Sequence, residues 1–184
     1  MEKREPSLAD WLGRMEYAIL DGAQSAEIAA RCAQLTREEC LPLWEMSDEA
    51  AAELAPVAPY LVRLAADPTL TDWLIQEGWG KQWGIFLSLR LPTTLEQLKR
   101  HFQPFLLAQV EGEEDKSFYF RFYDPRVFRT FMDICTPEQA QSFFGPVKQF
   151  LTEGTTSTQL HLYSLIRGQV KHEIVQATSG NHPD

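Results

Sequence analysis

Short apolar runs alternate along the 184-residue sequence with segments in which apolar residues recur at helical spacing. This alternation is typical of α/β domains, in which helices cover a β-sheet. Strands are predicted at 17–20, 41–45, 57–64, 83–89, 105–110, 118–122, 147–151 and 160–166. Helices are predicted at 26–35, 70–76, 94–103, 126–133 and 138–144. The pattern predicts a single α/β domain with a mixed, partly parallel β-sheet flanked by helices.

Capping residues mark the starts of several helices. Three dipeptides place a capping side chain just before a proline suited to the first helical position: Asp67-Pro68, Asp124-Pro125 and Thr136-Pro137. Thr93 with Glu96, and Thr136 with Gln139, have the spacing of a capping box. Pro104 is predicted to end the helix before it, because proline is not tolerated in a helix interior.

The chain is long enough to bury an ordinary core without disulfides or a structural metal. We assign residues 1–150 to the α/β domain and residues 151–184 to a short C-terminal extension, whose end, 177–184, is expected to be frayed. Cys32, Cys40 and Cys135 make no C-x-x-C pair, so reduced thiols are expected.

The formal net charge is −9, and the acidic excess lies in the first half of the chain. Residues 1–80 hold 15 acidic and 6 basic side chains, whereas residues 81–184 hold 11 of each. Because no cluster of Lys and Arg occurs, no nucleic-acid partner is expected. The acidic half is interpreted as a solvated surface, with a surface for a basic protein as the alternative. The apolar runs are too short for a membrane span and no signal peptide is evident, so we expect a cytoplasmic protein without a membrane partner.

Motifs for catalysis and for metal or cofactor binding are absent from the sequence. There is no G-x-S-x-G or G-x-G-x-x-G, and residues 78–81 lack the other positions of a phosphate-binding loop. The histidines have no metal-ligand spacing: His101, His161, His172 and His182. We therefore expect no catalytic residue, no metal and no cofactor.

Two stretches are unusual enough to be candidate partner-binding sites. Residues 118–123 hold five aromatic residues and lead into a helix start flanked by two arginines, and two tryptophans lie beside three glycines at 78–84. The arginines either pair with carboxylates of the domain or grip an anionic partner. The tryptophans are either core residues or anchors for a partner. The candidates are Trp79, Trp83, Arg121, Tyr123, Asp124 and Arg126.

Several of these segments resemble the type VI secretion effector-chaperone family (the adaptors also called TEC or Tap), long described as a domain of unknown function. The resemblance is carried by residues 120–127, F-R-F-Y-D-P-R-V, together with 143–147, F-F-G-P-V. Supporting segments follow in the family's order: 17–21, 58–62, 78–80 and 95–102. The resemblance covers about residues 15–150.

The resemblance implies a cytoplasmic adaptor that binds one cognate secreted effector and helps to load it on the VgrG spike protein. It implies no enzymatic activity, in agreement with the missing motifs. Two alternatives stay open: an immunity protein that neutralises a toxin, and a small hydrolase whose site uses residues such as Asp124, His101 and Arg121.

Overall fold

The computed structural model describes residues 5–44, 53–110 and 113–178. Seven strands form its central sheet: β1 (Tyr17–Asp21), β2 (Cys40–Pro42), β3 (Pro59–Arg63), β4 (Gly84–Leu89), β7 (Val147–Glu153), β8 (Gln159–Ile166) and β9 (Gln169–Gln176). Their order across the sheet is β2-β3-β1-β4-β7-β8-β9. Two further strands, β5 (Leu107–Val110) and β6 (Glu113–Tyr119), form a separate two-stranded ribbon.

The prediction of a mixed, partly parallel sheet is wrong, because all neighbouring strands of the sheet are antiparallel. Helical segments do connect strands of equal direction, β1 to β2 and β3 to β4. In both cases a strand of opposite direction lies between them: β3 separates β1 from β2, and β1 separates β3 from β4. Apolar strands need only helices on both faces, so the apolar runs carried no information about strand direction.

Helices cover both faces of the sheet. The α-helices among the described residues are α1 (Leu8–Leu12), α2 (Ala26–Cys32), α3 (Leu70–Trp73), α4 (Leu95–Phe102), α5 (Pro125–Ile134) and α6 (Pro137–Phe144). Helices α1–α3 pack on the face that includes Leu20 and Val62, and α4–α6 pack on the face that includes Ile19 and Leu61. Successive residues of β1 therefore enter different cores, as the two-residue period of a strand requires.

An aromatic cluster fills the core under α4–α6. Phe143 lies at its centre, and its ring centroid is 5.1–6.0 Å from those of six other phenylalanines. These partners come from two helices, a strand and the connections between them: Phe102, Phe105, Phe122, Phe128, Phe131 and Phe150. Edge-to-face contacts of this kind stabilise the packing beyond the burial of apolar area.

The helix starts follow the capping pattern closely. Thr136 and Gln139 form the predicted capping box at α6. Thr94 and Gln97 form another at α4, one residue later than predicted, and this register buries Leu95. Both spacings are present in the sequence, so the contact of the apolar stripe with the core decides between them.

Of two prolines expected at helix boundaries, one follows a helix end as predicted and the other precedes a helix that its neighbour does not cap. Helix α4 ends at Phe102 and Pro104 lies in the following 3₁₀ turn, Gln103–Leu106, as predicted. The Asp67-Pro68 pair precedes α3 without capping it, because Asp67 accepts the backbone N–H of Thr69 at 2.8 Å in the turn before the helix. No helix within the described ranges has the length and apolar character needed to cross a membrane.

The segment expected to be a C-terminal extension completes the sheet. Residue 150 lies within β7, and β8 and β9 follow it. Strand β9 was not predicted, because most of its side chains are exposed and it lacks an apolar run. Of the end expected to be frayed, only residues 177 and 178 lie within the described ranges.

Candidate partner-binding surface

The β5–β6 ribbon carries apolar side chains on both faces. Leu107 pairs with Tyr119, and Ala108 pairs with Phe118. Opposite residues of an antiparallel pair share a face, so Leu107 and Tyr119 lie on one face and Ala108 and Phe118 on the other. Leu107, Phe118 and Tyr119 are all exposed. Neighbouring exposed apolar side chains of this kind mark an interaction surface more often than scattered ones do.

A hollow of about 540 Å³ lies on the Leu107 face of the ribbon. Trp44 forms part of its wall: the indole N–H donates to the Tyr119 hydroxyl, and the two rings meet edge to face at 5.8 Å. The side-chain amide of Gln103 donates to the Leu43 carbonyl at 3.1 Å. Apolar side chains complete the lining: Pro104, Leu106 and Leu107.

A second hollow, of about 530 Å³, lies on the Phe118 face between the ribbon and α5, and we call it the ribbon groove. Its lining is mostly apolar: Ala108, Phe118, Phe120, Arg126, Val127, Thr130, Phe131, Ile134 and Gln139. Phe118 is 50% exposed and Ile134 is 75% exposed. A groove with such a lining suits an apolar side chain of a protein partner.

Asp124 begins α5 and holds Arg126 at the edge of the ribbon groove. One carboxylate oxygen accepts the backbone N–H of Arg126 at 2.9 Å and its Nε at 3.0 Å, and the other accepts Nη2 at 2.6 Å. Burial alone would raise the pKa of Asp124, but the bonds from Arg126 outweigh it, so this pKa lies below its ordinary value. Helix capping and the ion pair thus give Asp124 and Arg126 a structural role within the domain.

Replacing the cap residue separates these two contributions. Asp124→Ala should lower the free energy of unfolding by about 1 kcal/mol, because the Arg126 N–H loses its acceptor. Asp124→Asn and Asp124→Ser should cost much less, since either side chain still accepts the cap bond. Urea denaturation of the three variants measures the difference. Equal losses in all three would show that the charge of Asp124 stabilises the protein and that the cap bond does not.

Arg121 connects the ribbon to the end of β1. It forms an ion pair with Asp21, which is buried and accepts the backbone N–H of Ala23 at 3.1 Å and the amide of Gln24 at 3.0 Å. Of the two alternatives for the arginines, pairing with a carboxylate of the domain is observed for both Arg121 and Arg126. Both arginine side chains still keep part of their surface exposed.

Tyr123 lies in the core beneath this region. Its side chain is buried, its ring contacts Phe122, and its hydroxyl donates to the Tyr119 hydroxyl at 3.5 Å. Burial raises the pKa of Tyr123 above its ordinary value. Tyr123 therefore supports the ribbon from below and presents little surface to a partner.

The two candidate tryptophans lie on the opposite face of the sheet. Trp83 is buried, with its ring 5.1 Å from that of Trp73 and packed closely against Gly78. Trp79 is partly buried, and its indole N–H donates to the Ser157 carbonyl at 2.8 Å. Both belong to the core under α1–α3, whereas Tyr123 belongs to the core under α4–α6.

A buried glutamate holds the turn between the two tryptophans. Glu153 Oε2 accepts the backbone N–H of Gly80 at 2.8 Å, and both the backbone N–H and the side-chain amide of Gln82, at 3.3 and 2.9 Å. Gln82 has a φ of 58°, a conformation that non-glycine residues seldom adopt, so these bonds stabilise an unfavourable backbone. Burial raises the pKa of Glu153 to about 7 despite these bonds.

The structure thus divides the predicted site residues into two groups. Arg121, Tyr123, Asp124 and Arg126 lie together at the base of the ribbon, and the tryptophans lie apart from them. Four residues of the surface were not among the six candidates: the partly buried Trp44 and the exposed Leu107, Phe118 and Ile134. No sequence signal distinguishes them, because the same apolar residue types occur at exposed and at buried positions of a strand or helix.

The described residues hold no group of three or more His, Cys, Asp or Glu side chains that could bind a metal ion. The closest histidines are His161 and His172, whose ring nitrogens are 2.8 Å apart and hydrogen-bonded to each other.

These features define a three-layer domain, in which helices cover both faces of an antiparallel sheet, with an apolar groove on its surface. A family described as a domain of unknown function, DUF4123, matches residues 16–142, and the chain belongs to this family. No curated protein and no solved structure matches the chain. The description of the family states no activity.

Proposed function

We propose that this protein is an adaptor that binds a cognate type VI secretion effector and promotes its loading on the VgrG spike. The observation that carries the proposal is the apolar ribbon groove, with Phe118 and Ile134 exposed on its two sides. The resemblance of residues 120–127 and 143–147 to the effector chaperones supports the same role, because these segments build the helix and the core beside the groove.

The chemistry of the groove suits binding that must later be reversed. Its lining is mostly apolar, and its cationic side chain, Arg126, already pairs with Asp124. An effector can therefore be held by shape and apolar contact without forming a new buried ion pair. The complex should bury a standard interface, roughly 1,600 Å² in total, and should weaken only modestly with salt.

The experiment begins with a tagged pull-down from the native cytosol, followed by mass spectrometry to identify the effector. Co-expression and size-exclusion chromatography then compare the wild type with Phe118→Asp/Ile134→Asp. We expect the double variant to lose affinity for the effector roughly tenfold or more, because each new carboxylate would be buried in an apolar contact without a partner. The matched control is Leu91→Asp, a residue that is 65% exposed and outside the groove.

Circular dichroism melts of all variants show whether the fold is retained. The adaptor proposal fails if the effector is equally soluble and equally secreted without this protein and no complex elutes. The groove assignment alone fails if the complex forms but Phe118→Asp/Ile134→Asp and Leu91→Asp bind alike.

A further inference from the structure

The two edges of the central sheet differ in their ability to accept another strand. Strand β2 is three residues long and ends with Pro42, which has no N–H to donate. Strand β9 is eight residues long, contains no proline, and pairs with β8 at every position without a bulge. Within the described residues no strand pairs with its other side; a single bridge, between Ser7 and Thr178, lies just beyond the end of β9. Such a long and regular edge is a template for strand addition.

The side chains of β9 are complementary to themselves when the strand is reversed. Val170 packs toward the core under α4–α6 and Val175 toward the opposite core, so Val170, His172 and Ile174 share one face. Lys171 and Glu173 lie on the other face and form an ion pair at 3.0 Å. In an antiparallel pair, directly opposite residues must lie on the same face.

We propose that a second copy of this chain pairs with β9 in antiparallel orientation, about a two-fold axis through His172. Lys171 then lies opposite Glu173 of the second copy, and Glu173 opposite Lys171, so four alternating charges lie beside one another. On the other face Val170 lies opposite Ile174, which is 55% exposed in the single chain. Opposite charges and β-branched pairs are the combinations that stabilise neighbouring strands.

This register is favoured over its neighbour by charge. An axis through Glu173 would place Lys171 opposite Val175 and His172 opposite Ile174, and each charge would lose its partner across the strands. The interface is isologous, because each copy uses the same strand, and it therefore closes at two copies. A single strand pair buries less than a standard interface, so the dimer should dissociate on dilution.

Charge reversal tests the proposal on the full chain. Sedimentation velocity from low to high micromolar concentration should show a monomer–dimer equilibrium for the wild type. Lys171→Glu and Glu173→Lys should each be monomeric, because like charges then face each other across the strands. An equal mixture of these two variants should dimerise, as should the double variant Lys171→Glu/Glu173→Lys. The control is Lys148→Glu, an exposed residue of the interior strand β7, which should behave as the wild type.

Melting curves check that the variants fold, which we expect because both side chains are about half exposed. The backbone amides of β9 should exchange more slowly at high than at low protein concentration. A wild type that stays monomeric at all concentrations overturns the proposal. So does a Lys171→Glu variant that dimerises as well as the wild type, which would place the contact elsewhere on the surface.

Discussion

Gly84→Ala should lower the free energy of unfolding by about 3 kcal/mol or more, the upper range for adding a methyl group to a packed interior. Gly84 begins β4 and pairs with Leu20 in the middle of the sheet. A Cβ atom at this position would collide with the carbonyl oxygen of Ile19 and come within 3.0 Å of the Leu20 Cα. These atoms belong to the backbone of β1, which is paired on both sides and cannot shift alone.

Gly80→Ala is the matched control for this prediction. Gly80 has a φ of +86°, and no atom lies within 4 Å of an added Cβ. Its replacement should cost about 1–2 kcal/mol through backbone strain alone. Chemical denaturation of the two variants compares a collision with a strained conformation. A Gly84→Ala variant as stable as Gly80→Ala would show that β1 and β4 can move apart at little cost.

Local signals predicted the elements well where a side chain acts on its own backbone. The cap at Asp124 and the capping box at Thr136 were both identified, because each requires only residues up to three positions apart. Interior strands such as β4 were also identified, since burial on both faces makes them apolar throughout. Strand β9 was missed for the opposite reason: an edge strand with exposed faces has no apolar run.

The direction of the strands could not be predicted from these signals. Strand β3 lies between β1 and β2 because it pairs with segments far away in the chain, and no local sequence pattern indicates such pairing. The exposed residues of the candidate surface could not be predicted from local signals either. Phe118 and Phe122 lie four positions apart in one aromatic run, yet Phe122 is fully buried and Phe118 is half exposed. The ribbon separates them, because β6 ends at Tyr119 and Phe122 enters the core beyond it.

Glu153 should make the stability of the protein depend on pH between about 4.5 and 7. Its pKa rises from an ordinary value of 4.5 to about 7 in the folded state, because burial disfavours the charged form. Over this range the folded protein holds a proton that the unfolded chain has lost, so the free energy of unfolding falls as the pH rises. The stabilisation is complete below pH 4.5 and is lost above pH 7, a total of about 3 kcal/mol.

Glu153→Gln removes this dependence while keeping the shape of the side chain. The amide oxygen of Gln can still accept the N–H groups of Gly80 and Gln82, and it carries no charge to desolvate. At pH 8 the variant should therefore be more stable than the wild type by up to about 3 kcal/mol, and near pH 4.5 the two should be similar. Urea denaturation across this pH range measures the difference, with the exposed Glu53→Gln as a control that should follow the wild-type curve. Arg129, which donates to the Glu153 backbone carbonyl at 2.6 Å, also favours the charged carboxylate. A Glu153→Gln variant that is less stable at pH 8 would show that Arg129 and the three donors stabilise the carboxylate more than burial destabilises it.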